Sequence, residues 1–281
     1  MNKFKAFFTF IGFFWLLLCG FWAVLTLVRG SESGATAAWI GLLINAWALP
    51  SWMLLRYLFP GKISGDLREP GAFAGVLVGL ALILLTDSER GLPVYLAIYN
   101  LFVFLFYLHH LSSVAWPPMP APGTLFPALE HRDVGRWQAA EYCREHGVRG
   151  VIVLFLRGSY CADSRHQLSQ LYTLLEDLQR QNVGLVLWSV QSEDRWPHHL
   201  LAPNTSQVIF QVRQLAQPVP ALFAASNAAP LILHPWIKDA ARPSAWLLDA
   251  EGYILWRELP ATYRMPTTVA TLRNQLFRLQ E

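Results

Sequence analysis

Of the three cysteines in the chain, Cys19, Cys143 and Cys161, the last stands where side-chain chemistry is expected. It lies in Arg157-Gly158-Ser159-Tyr160-Cys161-Ala162-Asp163-Ser164-Arg165, a short polar segment between an apolar, β-prone run and a helical pattern. A thiol at the amino end of a helix meets unpaired backbone N–H groups and the positive end of the helix dipole. Both favour thiolate over thiol, and Arg157 and Arg165 add positive charge beside it. The sequence has no C-x-x-C pair, so redox chemistry here must begin from one thiol. Ser164 cannot attack a mixed disulfide as a second thiolate would. Cys143 falls on an apolar stripe and reads as a buried structural cysteine, and Cys19 lies in a lipid-type stretch. His166, His198 and His199 have no cysteine or carboxylate at zinc-ligand spacing, so no metal site and no cofactor are assigned.

The elements that must hold Cys161 follow from hydrophobic periodicity. Val151 to Leu156 is a continuous apolar run, as in a central strand covered on both faces. Ser164 to Gln181 carries Leu168, Leu171, Leu175 and Leu178 on one helical face, and Val183 to Trp188 is a second buried strand. Together they predict a parallel, right-handed strand-helix-strand unit with Cys161 at its first junction. Upstream, Asp133 to His146 places Val134, Trp137, Ala140 and Cys143 at three-residue spacing, which predicts an amphipathic helix capped by Asp133. The stretch Pro197 to Pro220 is irregular and is read as a crossover.

The stretch Val151 to Leu168 resembles the active-site segment of thioredoxin-fold redoxins, closest in pattern to the alkyl hydroperoxide reductase/thiol-specific antioxidant, or peroxiredoxin-like, family. The family pattern is met at Arg157, Gly158, Cys161, Arg165 and Leu168, with Tyr160 for the usual Trp and Ser164 where a second cysteine would stand. Ala241 to Trp256 resembles the family's proline, strand, Asp-x-x-Gly turn and second strand, and Tyr263-Arg264 before a terminal helix from about Thr267 fits the family's end. The resemblance covers 130–281. It implies an α/β thioredoxin-like fold, Pro243 as a cis proline facing the thiol, and Arg242 as the arginine that polarises peroxide and steadies the thiolate. Leu154 and Gly158 stand where peroxiredoxins carry Pro and Thr, with Ser159 offering a hydroxyl nearby.

The first part of the chain is written for a different solvent. The 281 residues are 54% hydrophobic and only 15% charged, and the charges thin out inside four stretches before Trp116. Phe4–Val28, Ala35–Phe59, Gly71–Thr86 and Leu92–Trp116 are the expected spans, the third near the lower length limit of about 17 residues and therefore the one on which topology turns. Arg56 is expected to snorkel to the headgroups. Asn45 and Asn100 are read as interhelical hydrogen-bonding residues and His109-His110 as interfacial. Basic residues before the first span and between the second and third place those loops in the cytoplasm of a bacterial-type inner membrane. Four crossings put the soluble domain there too, whereas three would export it. The division expected is 1–116 as an all-α transmembrane bundle, 117–129 as a stiff Pro-rich linker separating independently folding units, and 130–281 as the redoxin domain.

The net charge of +3 is locally balanced, and nucleic-acid binding has no footprint. The expected function is a membrane-anchored thiol redoxin in contact with lipid, with site residues Cys161, Ser164, Arg165, Arg242 and Pro243. It would reduce a peroxide or exchange with a protein disulfide, and be restored by an external thiol such as glutathione or a thioredoxin-like protein. The alternative is a non-catalytic binding or assembly module on the same fold.

Overall fold

The structure is a computed structural model and describes residues 2–30, 36–60, 62–63, 65–87, 91–133, 135–201, 212–218 and 220–279. The bundle comprises α1 (Asn2–Val28), α2 (Thr36–Leu58), α3 (Pro70–Thr86) and α4 (Leu92–Phe106), the last continued by a π-helical turn, Tyr107–Leu111. Three of these runs, Asn2–Val28, Thr36–Leu58 and Leu92–Leu111, are long and apolar enough to cross a membrane, while α3 has 17 residues. Helices α2 and α3 pack backbone to backbone: a Cβ on Gly79 would lie 2.5 Å from the amide nitrogen of Asn45 and from the carbonyl of Gly41. Small residues at such a seam let the two backbones approach closely enough for extensive dispersion contacts. Asn45 Nδ2 donates to the Val76 carbonyl at 2.9 Å, Asn100 Nδ2 to Asn45 Oδ1 at 3.0 Å, and Trp15 Nε1 to Asn100 Oδ1 at 2.9 Å, so the two amides knit the four helices together. The fourth expected span ends early, at Leu111, because Ser113 bridges to Thr262 and Val114 donates to the Ala261 carbonyl instead of continuing the helix.

The remainder is a mixed five-stranded sheet flanked by helices, in the order β5–β4–β3–β8–β9. Its strands are β3 (Gly150–Phe155), β4 (Val183–Ser189), β5 (Val212–Gln214), β8 (Ser244–Asp249) and β9 (Ile254–Glu258). Strands β3, β4 and β5 are parallel, and β8 and β9 join antiparallel on the other side of β3. This is the central mixed sheet flanked by helices that the α/β expectation called for. Every residue of β3 is buried, and alternation divides them. Val151, Val153 and Phe155 enter one core with Trp188 and Trp246, while Ile152 and Leu154 enter the other with Leu168, Leu171, Leu174 and Leu178.

The expected long helix after Cys161 is α6 (Ala162–Gln170) and α7 (Leu175–Gln181) with a 3₁₀ turn, Leu171–Leu174, between them. The turn adds a fully buried Leu174 to the core, with Leu175 packed part-buried beside it. The helix expected from Asp133 is only α5 (Ala139–His146). Trp137 belongs to β2 (Gly135–Trp137), which forms a hairpin with β1 (Leu129–His131), and Val134 lies outside the described residues. A three-residue spacing that spans a hairpin and a short helix mimics one longer helix. The terminal helix α8 (Val269–Gln275) starts as expected, with Thr268 Oγ1 accepting from the Thr271 amide. A two-stranded piece, β6 (Ala224–Ala225) with β7 (Ala240–Ala241), leads directly into β8.

The Pro-rich segment is not a free spacer. Gly123 donates to the Ile254 carbonyl at 2.7 Å, Phe126 to Gly252 at 2.9 Å, and Ile254 back to Thr124 at 2.9 Å, so the segment lies along β9. Phe126 is buried against Trp137, Phe223 and Trp246. Prolines remove donors but leave carbonyls, and Arg257 donates to that of Pro120.

Candidate functional site

Cys161 stands at the carboxyl end of β3 as the N-cap residue of α6, extended at φ −89° and ψ 119°. The loop before it is pinned from several sides. Arg157 donates its amide to Ser164 Oγ at 3.0 Å, Ser159 donates its amide to Gln191 Oε1 at 2.6 Å, and Cys161 donates its amide to the Gly158 carbonyl at 3.0 Å. Gly158 holds φ 156°, and a Cβ there would meet Tyr160 Cε1 at 2.5 Å. Ser164 thus fastens the loop by accepting a backbone hydrogen bond.

The thiol itself is buried, at 7% exposure. Sγ lies 3.8 Å from Asp163 Oδ2. Burial pushes the Cys161 thiol up from its ordinary value and the Asp163 charge adds to this, against the opposing pull of Arg157 and the amides of Ser164 and Asp163. The expectation of a favoured thiolate is therefore corrected. The helix end is present, but desolvation and a carboxylate outweigh it at rest.

That carboxylate opens onto a cluster the sequence reading missed. Asp163 Oδ1 accepts from Arg56 Nη2, Arg56 Nη1 donates to Glu69 Oε1 at 2.7 Å, and Arg264 Nη1 donates to the same oxygen at 3.0 Å. All four side chains are at most 1% exposed. Two cations and two anions balance, as buried charges must. Arg56 does not snorkel; it reaches from α2 to Asp163 at the start of α6. Arg264 reaches the other way, donating to Ser112 Oγ at 3.0 Å and to the carbonyls of Asp66, Leu67 and Leu108. Glu69 holds φ 46°, a left-handed conformation costly for a non-glycine residue, and Trp52 Nε1 donates to its second oxygen at 2.8 Å. At Gly65 a Cβ would lie 2.5 Å from both Arg56 Nη2 and Asp163 Oδ1, so the loop can approach the cluster only without a side chain there. The signal available in sequence was a lone arginine near the end of one apolar run and a lone glutamate just before the next.

The remaining expected site residues make other contacts. Arg165 stacks over the Tyr57 ring of α2, 4.2 Å from its centroid, rather than on the thiol. Arg242 commits its guanidinium to the carbonyls of Ala115, Ala221, Leu222 and Ala224. The cis peptide among the described residues precedes Pro218, not Pro243. Residues 240–244 run extended from β7 into β8, and the Arg242 amide is paired with the Phe223 carbonyl. Pro243 lies one step beyond the Phe155–Ser244 pair, at the same sheet end as Cys161. The arginine near the thiol is Arg157, stacked 3.5 Å from the Tyr263 ring centroid, and Tyr263 in turn touches Tyr107 Oη at 3.4 Å.

Among the described residues three cavities border this centre, and one of about 100 Å³ brings Arg157 and Tyr263 together with Arg242 and Pro243. A cleft of about 1010 Å³ borders Ser159 and Tyr160 and is edged by Gln191, Arg132 and Trp236. A smaller one of about 260 Å³ is lined by Asp163, Gly65, His166, Gln167 and Thr267.

No protein-family model and no curated protein matches the chain. Among solved structures, a cysteine-to-serine mutant of the peroxiredoxin 6 of Arenicola marina is similar at 12% identity and TM-score 0.44, covering 57% of this chain and 74% of that one. Reduced Prx3 of Vibrio vulnificus in complex with hydrogen peroxide is similar at 14% identity and TM-score 0.42, covering 56% and 99%. Mycobacterium tuberculosis AhpC is similar at 18% identity and TM-score 0.38, covering 58% of this chain and 100% of that one.

Proposed function

We propose that the protein is a membrane-anchored thiol redoxin that works through Cys161 alone, reducing a small peroxide to leave a sulfenic acid that an external thiol then removes. The observation that carries this reading is the isolation of Cys161 at the β3–α6 junction. Cys143 Sγ rests 3.9 Å from the Asp249 carbonyl, and Asp249 pairs with Gly150 at the opposite end of β3. Five residue steps at about 3.3 Å separate the strand's two ends, roughly 17 Å, whereas a disulfide needs Cα atoms within about 7 Å. Burial also pushes the Cys143 thiol up to about 12, which leaves it a poor resolving nucleophile. A thiol only 7% exposed suits a small diffusible oxidant better than a folded protein disulfide.

The test is stoichiometric peroxide followed by glutathione on the purified protein. One glutathione at Cys161 by mass spectrometry, with none on Cys161→Ser, is the expected result. Rapid formation of a Cys143–Cys161 disulfide would refute the one-cysteine route. The second reading, a non-catalytic assembly module, draws support from the buried charged cluster that seats the domain on the bundle. It predicts that stoichiometric peroxide leaves Cys161 unoxidised, with no glutathione adduct and no peroxide turnover. For anchoring we read all four helices as crossing, with the domain on the cytoplasmic side; activity of an exported reporter fused after Trp116 would overturn that.

A further inference from the structure

We propose that Asp163 is the proton acceptor and donor for Cys161, and that Arg56, reaching in from the bundle, is the positioning residue that holds the carboxyl in place. The inference deepens the thiol reading above and makes the anchor part of the reactive centre. Its two oxygens divide the work: Oδ2 lies 3.8 Å from Cys161 Sγ, while Oδ1 accepts from Arg56 Nη2. A carboxylate fixed at one oxygen by a guanidinium presents the other in a set direction. The groups facing this pair are Glu69 before α3, Arg264 and Tyr263 after β9, Tyr107 after α4, and Arg157 and Tyr160 in the thiol loop. Glu69 is the one carboxylate among them, and among the described residues it is Asp163 that reaches Sγ.

The step balances. Cys161 passes its thiol proton to Asp163, and the thiolate attacks the terminal oxygen of a hydroperoxide. The S–O bond forms as the O–O bond breaks, and the departing alkoxide or hydroxide takes the proton from Asp163. Sulfur loses two electrons as a sulfenic acid, and the peroxide gains them as alcohol or water. The cavity of about 260 Å³ lined by Asp163, His166 and Gln167 lets the carboxyl exchange protons with the outside between turnovers.

Burial lifts the Asp163 carboxyl to about 6 even though Arg56 draws it down. Below that value it already carries a proton and cannot accept another, so assistance fades as pH falls through about 6. The measurement is iodoacetamide labelling of Cys161 in the full chain in detergent, read by mass spectrometry from pH 5 to 10. The wild type is expected to show a limb near pH 6 and a second, alkaline limb from direct ionisation of the thiol. Asp163→Asn should lose the first limb and move the alkaline limb to lower pH, because removing the carboxylate charge eases ionisation of the thiol, while Asp163→Glu should retain a limb. Arg56→Gln removes the cation that draws Asp163 down and should move the limb to higher pH, and Arg56→Lys should move it back. A profile of Asp163→Asn superimposable on wild type, in a variant that still unfolds cooperatively, overturns the proposal, as does an unmoved limb in Arg56→Gln. Peroxide consumption is followed in parallel. Wild-type turnover with an unchanged Asp163→Asn labelling profile sinks the relay alone, whereas a lost limb without wild-type turnover sinks the oxidant reading alone.

Discussion

At the residue scale, the thiol's setting shows two opposed terms in one place. The helix end and Arg157 favour charge on sulfur; burial and Asp163 oppose it, and the second pair prevails at rest. Ser164 gives a sharp prediction. Its Oγ accepts the Arg157 amide, so Ser164→Ala should loosen the loop and cost about 1 kcal/mol in chemical unfolding. Ser164→Cys recreates a dithiol spacing across the first turn of α6. It should close an intramolecular disulfide on oxidation, and the glutathione adduct should then fail to accumulate by mass spectrometry. The position of Cys161 was legible in the sequence because a strand-to-helix junction is a local pattern. Asp163, two residues away, was not, because nothing local says that a polar residue in the first turn of a surface-type helix will be covered by a residue 107 positions earlier.

At the scale of elements, periodicity served well where an element buries both faces and poorly where pieces abut. Strands β3, β4, β8 and β9 follow the expected order because continuous apolar runs and the Asp249–Gly252 turn define them locally. The helix expected from Asp133 failed because a hairpin and a short helix share one spacing, and the long helix after Cys161 broke where a 3₁₀ turn brings Leu174 inward. Arg242 and Pro243 illustrate the limit of a resemblance. They occupy the expected place along the chain, but the arginine is drawn off by four backbone carbonyls. In the bundle, the α2–α3 seam depends on glycine. Gly79→Val should force the two backbones apart and cost about 1–3 kcal/mol, seen as a lowered unfolding temperature in detergent, whereas Gly30→Ala, at a position with open space but a φ of 82°, should cost less.

At the scale of the whole molecule, the bundle and the sheet domain are joined by charges no solvent reaches. Removing one member leaves an uncompensated partner, and Arg264→Met should destabilise the protein by about 3–5 kcal/mol. A coupled change, Arg264→Met with Glu69→Gln, should recover part of that loss in a double-mutant cycle followed by chemical unfolding. The same join gives the chain a timetable. Arg56 and Glu69 are 13 residues apart, but Asp163 follows Arg56 by 107 residues and Arg264 follows Glu69 by 195. At about 5–20 residues per second the ribosome delivers Arg264 some 10–40 s after Glu69. During that interval Arg56 already has its near partner, so its charge need not be buried alone, and the left-handed turn at Glu69 is held by Arg56 and Trp52 before the sheet exists. The carboxyl terminus therefore acts as the closing latch of assembly. Nascent chains stalled just before Arg264 emerges should stay open to protease between α2 and α3, and chains stalled after it should become resistant there.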